Sequence, residues 1–107
     1  MSTIDDLEKK VMKFVESRDW NQFHSPENLA KSISIEAAEL LECFQWNSKF
    51  DFNDVCEELA DILTYCIILS HKLDVKIIDI VEDKLGKTEL KYPKEKFKGI
   101  STKYNKL

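Results

Sequence analysis

Apolar residues recur along this chain at spacings of three and four, the signature of helices with one buried side. Ile4, Leu7, Val11, Phe14 and Val15 predict a first helix over about 3–17. Ser2 or Thr3 can cap it, and Asp5 and Asp6 suit its first turn. Ser25-Pro26-Glu27 then reads as a helix start, with Ser as cap, Pro at the first helical position and an acid next. Leu29, Ile33, Ala37, Leu40 and Phe44 form the stripe of this second helix, which is expected to run to about Trp46 because no Gly or Pro interrupts it. A third helix is expected from about Asp54 to His71, capped by Asp51 or Asn53, with Val55, Leu59, Ile62, Cys66 and Leu69 inward. A fourth opens near Asp74 and carries Ile77, Ile78, Val81 and Leu85; Gly86 weakens it, and Tyr92-Pro93 stops it.

Between these elements lie an aromatic connection, Arg18 to His24, and a polar loop, Asn47 to Asn53. The tail has little periodicity, with Phe97, Ile100 and Tyr104 as anchors among lysines. The pattern predicts an all-α, four-helix bundle-type fold in a single domain spanning residues 1–107. Leu63, Ile67 and Ile68 make the second half of the third helix apolar nearly all round. Such a helix must be covered on all sides. Four short helices cannot cover it alone, so the expected fold is completed by forming a homo-oligomer, a dimer or tetramer.

Composition supports long helices over strands, since only 2 Gly and 2 Pro occur in 107 residues. No apolar run approaches the ~18 residues of a membrane span. The first residues lack the basic flank and apolar core of a secretory leader. Cys43, Cys56 and Cys66 are odd in number and widely spaced, which reads as reduced, buried thiols in a cytoplasmic protein. The net charge of −4 hides an asymmetry: Lys84 to Leu107 holds eight Lys and two Glu, leaving −10 for residues 1–83. An acidic body with a basic tail suits a metal plus a polyanionic ligand, although a Lys-rich tail can equally be a solvated surface.

The acids are placed with more order than the net charge suggests. Glu36 and Glu39 lie three apart in Ser34-Ile35-Glu36-Ala37-Ala38-Glu39, and Glu58 and Asp61 lie three apart in Glu57-Glu58-Leu59-Ala60-Asp61. Residues three apart rise from one helical face on adjacent turns. On a helical wheel both pairs flank an apolar stripe, whereas Glu42 and Lys31 point away. Two such helices side by side would bring four carboxylates to one place. Oxygen ligands without a His among them favour a hard cation, Mg²⁺ or Mn²⁺. A di-iron bundle would need Glu-x-x-His, which these helices lack. The plain alternative is solvated surface acids. Trp20, Phe23 and His24 present a similar choice, between packing at the bundle end and stacking on a planar base. His24 has no Cys or His at zinc-ligand spacing.

With Glu36-x-x-Glu39 followed by Glu58-x-x-Asp61, the chain resembles the MazG-like nucleotide pyrophosphohydrolases, of the all-α NTP pyrophosphatase superfamily. The likeness extends to Asp19-Trp20-x-x-Phe23-His24-x-Pro26-x-Asn28-Leu29, to Glu39-Leu40-x-Glu42-x-Phe44-Gln45-Trp46, and to Lys84…Lys91-Tyr92-Pro93. These are similar to the dCTP pyrophosphatase-like branch. The resemblance implies Mg²⁺-dependent hydrolysis of a nucleoside triphosphate to monophosphate and pyrophosphate. It implies metal ligands Glu36, Glu39, Glu58 and Asp61, with Glu39 as the water-activating acid and Glu57 and Tyr65 supporting them. It implies a base pocket from Trp20, His24 and Trp46, and phosphate contacts from Lys84, Lys87 and Lys91 beside Tyr92. Lys31, opposite the acids on the wheel, could contact phosphate only across a subunit boundary. No nucleic-acid polymer and no membrane is expected as partner. The chain departs from the branch at Thr88 and Glu89, where an Asn and a basic residue usually stand before the Tyr-Pro. A different class of reading remains: a non-catalytic helical protein that binds a nucleotide or a partner through the same bundle.

Overall fold

The computed structural model describes residues 3–46 and 49–106 and is all-α, with no strand among the described residues. The elements are α1 (Ile4–Ser17), a 3₁₀ turn (Asn21–Phe23), α2 (Pro26–Glu42), α3 (Phe52–Lys72), α4 (Ile77–Lys91), a short α5 (Lys94–Phe97) and a 3₁₀ turn at Tyr104–Lys106. The chain divides into two compact units, one ending at Val75 and one beginning at Lys76.

In the first unit each long helix is started by a side chain. Thr3 and Asp6 form a reciprocal capping box at α1, Ser25 accepts from the Asn28 N–H at α2, and Asp51 accepts from the Asp54 N–H at α3. Ser2, the other cap considered for α1, lies outside the described residues, as do Asn47 and Ser48 of the polar loop.

Helix α2 ends at Glu42, four residues short of the expected Trp46. The N–H groups of Cys43, Phe44 and Gln45 bond three residues back, to Leu40, Leu41 and Glu42. The tightened turn lets Phe44 meet Phe50, with ring centroids 4.9 Å apart. A helical wheel cannot register that reward, because Phe50 lies beyond the reversal.

Helix α1 closes with Asp19 at φ 53° and α3 with Asp74 at φ 56°. In both, the next N–H reaches back five residues, Trp20 to Val15 and Val75 to Ser70. This is a Schellman closure with Asp where Gly is usual; Asp tolerates the left-handed region better than most residues. Asp74 therefore ends α3 rather than opening α4, which begins three residues later than its position suggested.

The core of this unit is Met12 and Val15 from α1, Leu29 from α2 and Ile68 from α3, with Val11, Tyr65 and Leu69 packed against it. Full burial of such side chains contributes roughly 1.5–3 kcal/mol each. Ile67 is buried too, while Leu59 and Leu63 of the same helix are about half exposed. The three cysteines are free, as expected, but not buried: Cys56 is exposed, and Cys43 and Cys66 are partly covered.

In the second unit α4 continues through Gly86. A helical glycine costs only about 1 kcal/mol relative to alanine, too little to break a helix already formed on both sides. Tyr92 gathers the tail: its ring meets Phe97 at 4.7 Å and Tyr104 at 5.7 Å, and its hydroxyl accepts from the Tyr104 N–H at 3.3 Å. The tail is thus more ordered than its periodicity indicated, with Ile100 left 49% exposed.

Candidate active site

Helices α2 and α3 pack against each other, and two pairings fix their sense. Leu29 near the start of α2 meets Ile68 near the end of α3 in the core cluster. Glu36, two turns further along α2, meets Glu58 and Asp61, earlier on α3. The helices are therefore antiparallel.

Carboxylate oxygens of Glu36, Glu58 and Asp61 lie within 4.8 Å of one another, a group that could hold a metal ion. Glu36 and Glu58 are half-buried and Asp61 is exposed. Glu39, one turn past Glu36 and exposed, lies close enough to act on both Glu36 and Glu58, although it is outside the tight trio. Burial, then the neighbouring Glu39, Glu58 and Asp61 carboxylates, push the Glu36 carboxyl up to about 7 from an ordinary 4.5. Burial is also the main cause raising Glu58. Like charges drawn together out of water favour the neutral form. Glu36 Oε2 and Glu58 Oε2 are both buried without a hydrogen-bond partner. Buried carboxylate oxygens left without donors, in a set containing only oxygen ligands, fit a hard divalent cation well. Cys43 stands one turn past Glu39 and bonds its carbonyl at 3.5 Å. Burial, then the charges of Glu58 and Asp54, hold this thiol above its ordinary pKa.

Beside the trio opens a cavity of about 140 Å³. Its floor is one face of α3, with Asp61, Thr64, Tyr65 and Ile68 at i, i+3, i+4 and i+7. Phe14 and Val15 of α1 and Trp20 and His24 of the following turn form its walls. Asp61 belongs to both the carboxylate trio and the cavity. The Trp20 ring meets Phe14 edge-on at 5.4 Å, which fixes its orientation. His24 Nδ1 is buried without a partner, and burial together with Lys72 holds the imidazole below its ordinary pKa, favouring its neutral form. The turn that carries these side chains is tied internally: Asn28 Nδ2 donates to the Phe23 carbonyl, and Gln22 Nε2 to Asp19.

Other residues singled out in the sequence lie elsewhere. Trp46 is 89% exposed and does not line this cavity. Glu57 is exposed. Lys31 pairs with Glu27 at 3.3 Å on the solvent side of α2. In the second unit, Lys87 pairs with Asp83 at 3.3 Å and Lys91 sits 5.0 Å from the centre of the Tyr104 ring, while Lys84 is exposed on the same helix. Of the residues that line the cavity, sequence reasoning did not single out Phe14, Val15, Thr64 or Ile68, and Val15 and Ile68 read as core. Phe14 was absorbed into the core stripe of α1, and Thr64 carried no motif; its only signal was its position one turn past Asp61 on the acid-bearing helix.

Fold and site together define an all-α protein whose paired acidic helices gather carboxylates beside an aromatic cavity. Residues 31–107 match the model of the MazG-like family. The chain is 31% identical over 115 residues to dCTP pyrophosphatase 1 of Mus musculus, covering 98% of this chain and 68% of that protein. The Bos taurus dCTP pyrophosphatase 1 is 32% identical with the same coverage. A crystal structure of a pyrophosphatase from Archaeoglobus fulgidus superposes with a TM-score of 0.78 at 39% identity, covering 87% of this chain and 94% of that one. The chain belongs to the MazG-like family. The acid pairs fall inside the matched family span, while Trp20 and His24 precede it and fall within the longer match to the dCTP pyrophosphatases.

Proposed function

We propose that this chain hydrolyses a nucleoside triphosphate between the α and β phosphates, with Mg²⁺ as the cation and Mn²⁺ as a substitute. By family the chain is an enzyme, a nucleoside triphosphate pyrophosphatase. The observation that carries the rest is the shared residue: Asp61 belongs to the carboxylate trio and to the cavity floor, so one ligand can meet both.

Glu36, Glu39, Glu58 and Asp61 would hold the cation, with Glu57 and Tyr65 behind them. The cation would neutralise phosphate charge and favour attack at the α phosphorus. Glu39, exposed beside the trio, is the acid best placed to take the proton of the attacking water. That water adds its oxygen to the α phosphorus as the α–β anhydride breaks, and pyrophosphate leaves. Trp20 and His24 would seat the base, and Phe14 buttresses the Trp20 ring. The printed names of the relatives make dCTP the first substrate to try. A phosphate role for Lys84, Lys87, Lys91 and Tyr92 rests on the resemblance alone and not on their placement.

Trp46 and Lys31 do not line the cavity, so the role expected of them would be filled from a second copy of the chain. Leu41 and Phe52, each 71% exposed, together with Leu63 offer the apolar area for a dimer or tetramer of a single-domain protein. Three free thiols suit a cytoplasmic setting, and no helix among the described residues is long and apolar enough to cross a membrane.

The deciding experiment measures pyrophosphate release from the eight common NTPs and dNTPs with and without Mg²⁺. At least one should turn over, and only with the cation. Mg²⁺-dependent binding without release would instead favour a non-catalytic nucleotide-binding protein.

A further inference from the structure

Along α3, the row of side chains that floors the cavity begins at a carboxylate of the trio, Asp61, and ends at a core residue, Ile68. Thr64 comes one turn, about 4.5 Å, past Asp61. A ligand reaching from the carboxylates into the cavity passes it first. Thr64 Oγ1 donates to the Ala60 carbonyl at 2.8 Å. A hydroxyl carries one proton; with that proton held by the Ala60 carbonyl, Oγ1 offers a ligand its lone pairs at no loss, and donates only by turning away from that bond. The partnerless His24 Nδ1 lies among the residues lining the same cavity. The polar groups of the cavity thus include one hydroxyl set to accept.

We propose that Thr64 is a specificity-determining residue, an acceptor that reads an exocyclic amino group on the ring seated in the cavity. The inference rests on the reading of this cavity as the base site. A ring with an amino group at that position donates to Oγ1. The same ring with a carbonyl there either faces Oγ1 acceptor to acceptor or must draw the hydroxyl proton away from the Ala60 carbonyl, and both are less favourable than the amino match. Sites that use a hydrogen bond in this way reject the mismatched analogue more strongly than apolar pockets reject a change of size. Cytosine and uracil are the matched pair, amino against carbonyl on one ring size.

The test compares kcat/KM for dCTP and dUTP in the wild type, Thr64→Val and Thr64→Ser. Valine keeps the shape and removes the acceptor; serine restores it. The wild type should favour dCTP by about tenfold or more, valine should bring the ratio within about threefold through loss on dCTP, and serine should keep most of the preference. A wild-type ratio near one or favouring dUTP overturns the inference, as does a valine variant that slows both substrates alike. A second measurement separates this idea from the hydrolysis it rests on. Tryptophan fluorescence reports binding of dCMP and dUMP, which lack the α–β anhydride. If no triphosphate turns over, the proposed hydrolysis fails, yet a dCMP preference that valine abolishes still supports the role of Thr64. Equal binding of dCMP and dUMP overturns it.

Discussion

The antiparallel pair α2 and α3 is used in two opposite ways within two helical turns. At one end Leu29 meets Ile68, at 1% and 3% exposure, in a dry apolar cluster. Seven residues further along α2, and seven to ten residues back along α3, Glu36 meets Glu58 and Asp61, and buried oxygens of Glu36 and Glu58 find no donor. The first region lowers the free energy of the fold. The second raises it until a cation arrives, because charges gathered out of water repel. The same two backbones hold both, so the rigid end can fix the geometry of the strained one. Stability and chemistry should therefore separate cleanly on mutation.

The largest expected effect lies in the acid region. Glu39→Gln should lower kcat by about a hundredfold or more, the usual weight of a positioned acid or base. Its metal-free melting temperature should stay the same or rise slightly, since one repelling charge is gone. Glu42→Gln, whose side chain lies off the acid face, should keep activity within a few-fold. Equal loss in both variants would break the contrast between the two faces of α2.

Next comes the apolar end. Leu29→Ala should cost about 2–5 kcal/mol by chemical denaturation, as removal of a buried Leu side chain does. Activity per folded molecule should be nearly unchanged. A large loss of kcat in the folded fraction would mean that the two regions are not separable.

The smallest effect sharpens the contrast through pH. Glu36 is raised from 4.5 to about 7 in the metal-free fold. Its contribution to stability is fully present below about 4.5 and lost as pH rises through about 7. Glu58, also raised, has the same sign. His24 is lowered from 6.5, so its contribution runs the other way and is lost as pH falls below 6.5. The difference in melting temperature between wild type and Glu36→Gln isolates the acid term. It should move against the wild type by a few degrees between pH 5 and 8 without metal, and shrink when Mg²⁺ is added. A difference that ignores both pH and metal would remove the electrostatic account of the trio.

Much of this was legible in the sequence. The helices α1 to α3 and their caps follow from spacing, because helical periodicity is a local property, and the same spacing puts Glu36 with Glu39 and Glu58 with Asp61 on one face each. What was not legible depends on contacts across a reversal. The early end of α2 reflects Phe44 meeting Phe50, and the order of the tail reflects Tyr92 holding Tyr104. The cavity was half legible: Trp20 and His24 stood out as an aromatic turn, but Phe14 and Thr64 became visible only when α1 and α3 were brought together.

The closure of α1 has one more consequence. Asp19 stands in the left-handed region, and the next N–H, that of Trp20, bonds back to Val15. Val15 is itself a core residue and a wall of the cavity. The indole that faces the cavity is thus hung from the last turn of a helix rather than from a free loop. A residue inserted before Trp20 would change both where the helix stops and which way the ring faces. Divergence of ligand preference in chains built this way should come from swapping side chains on a fixed frame, not from reshaping the loop.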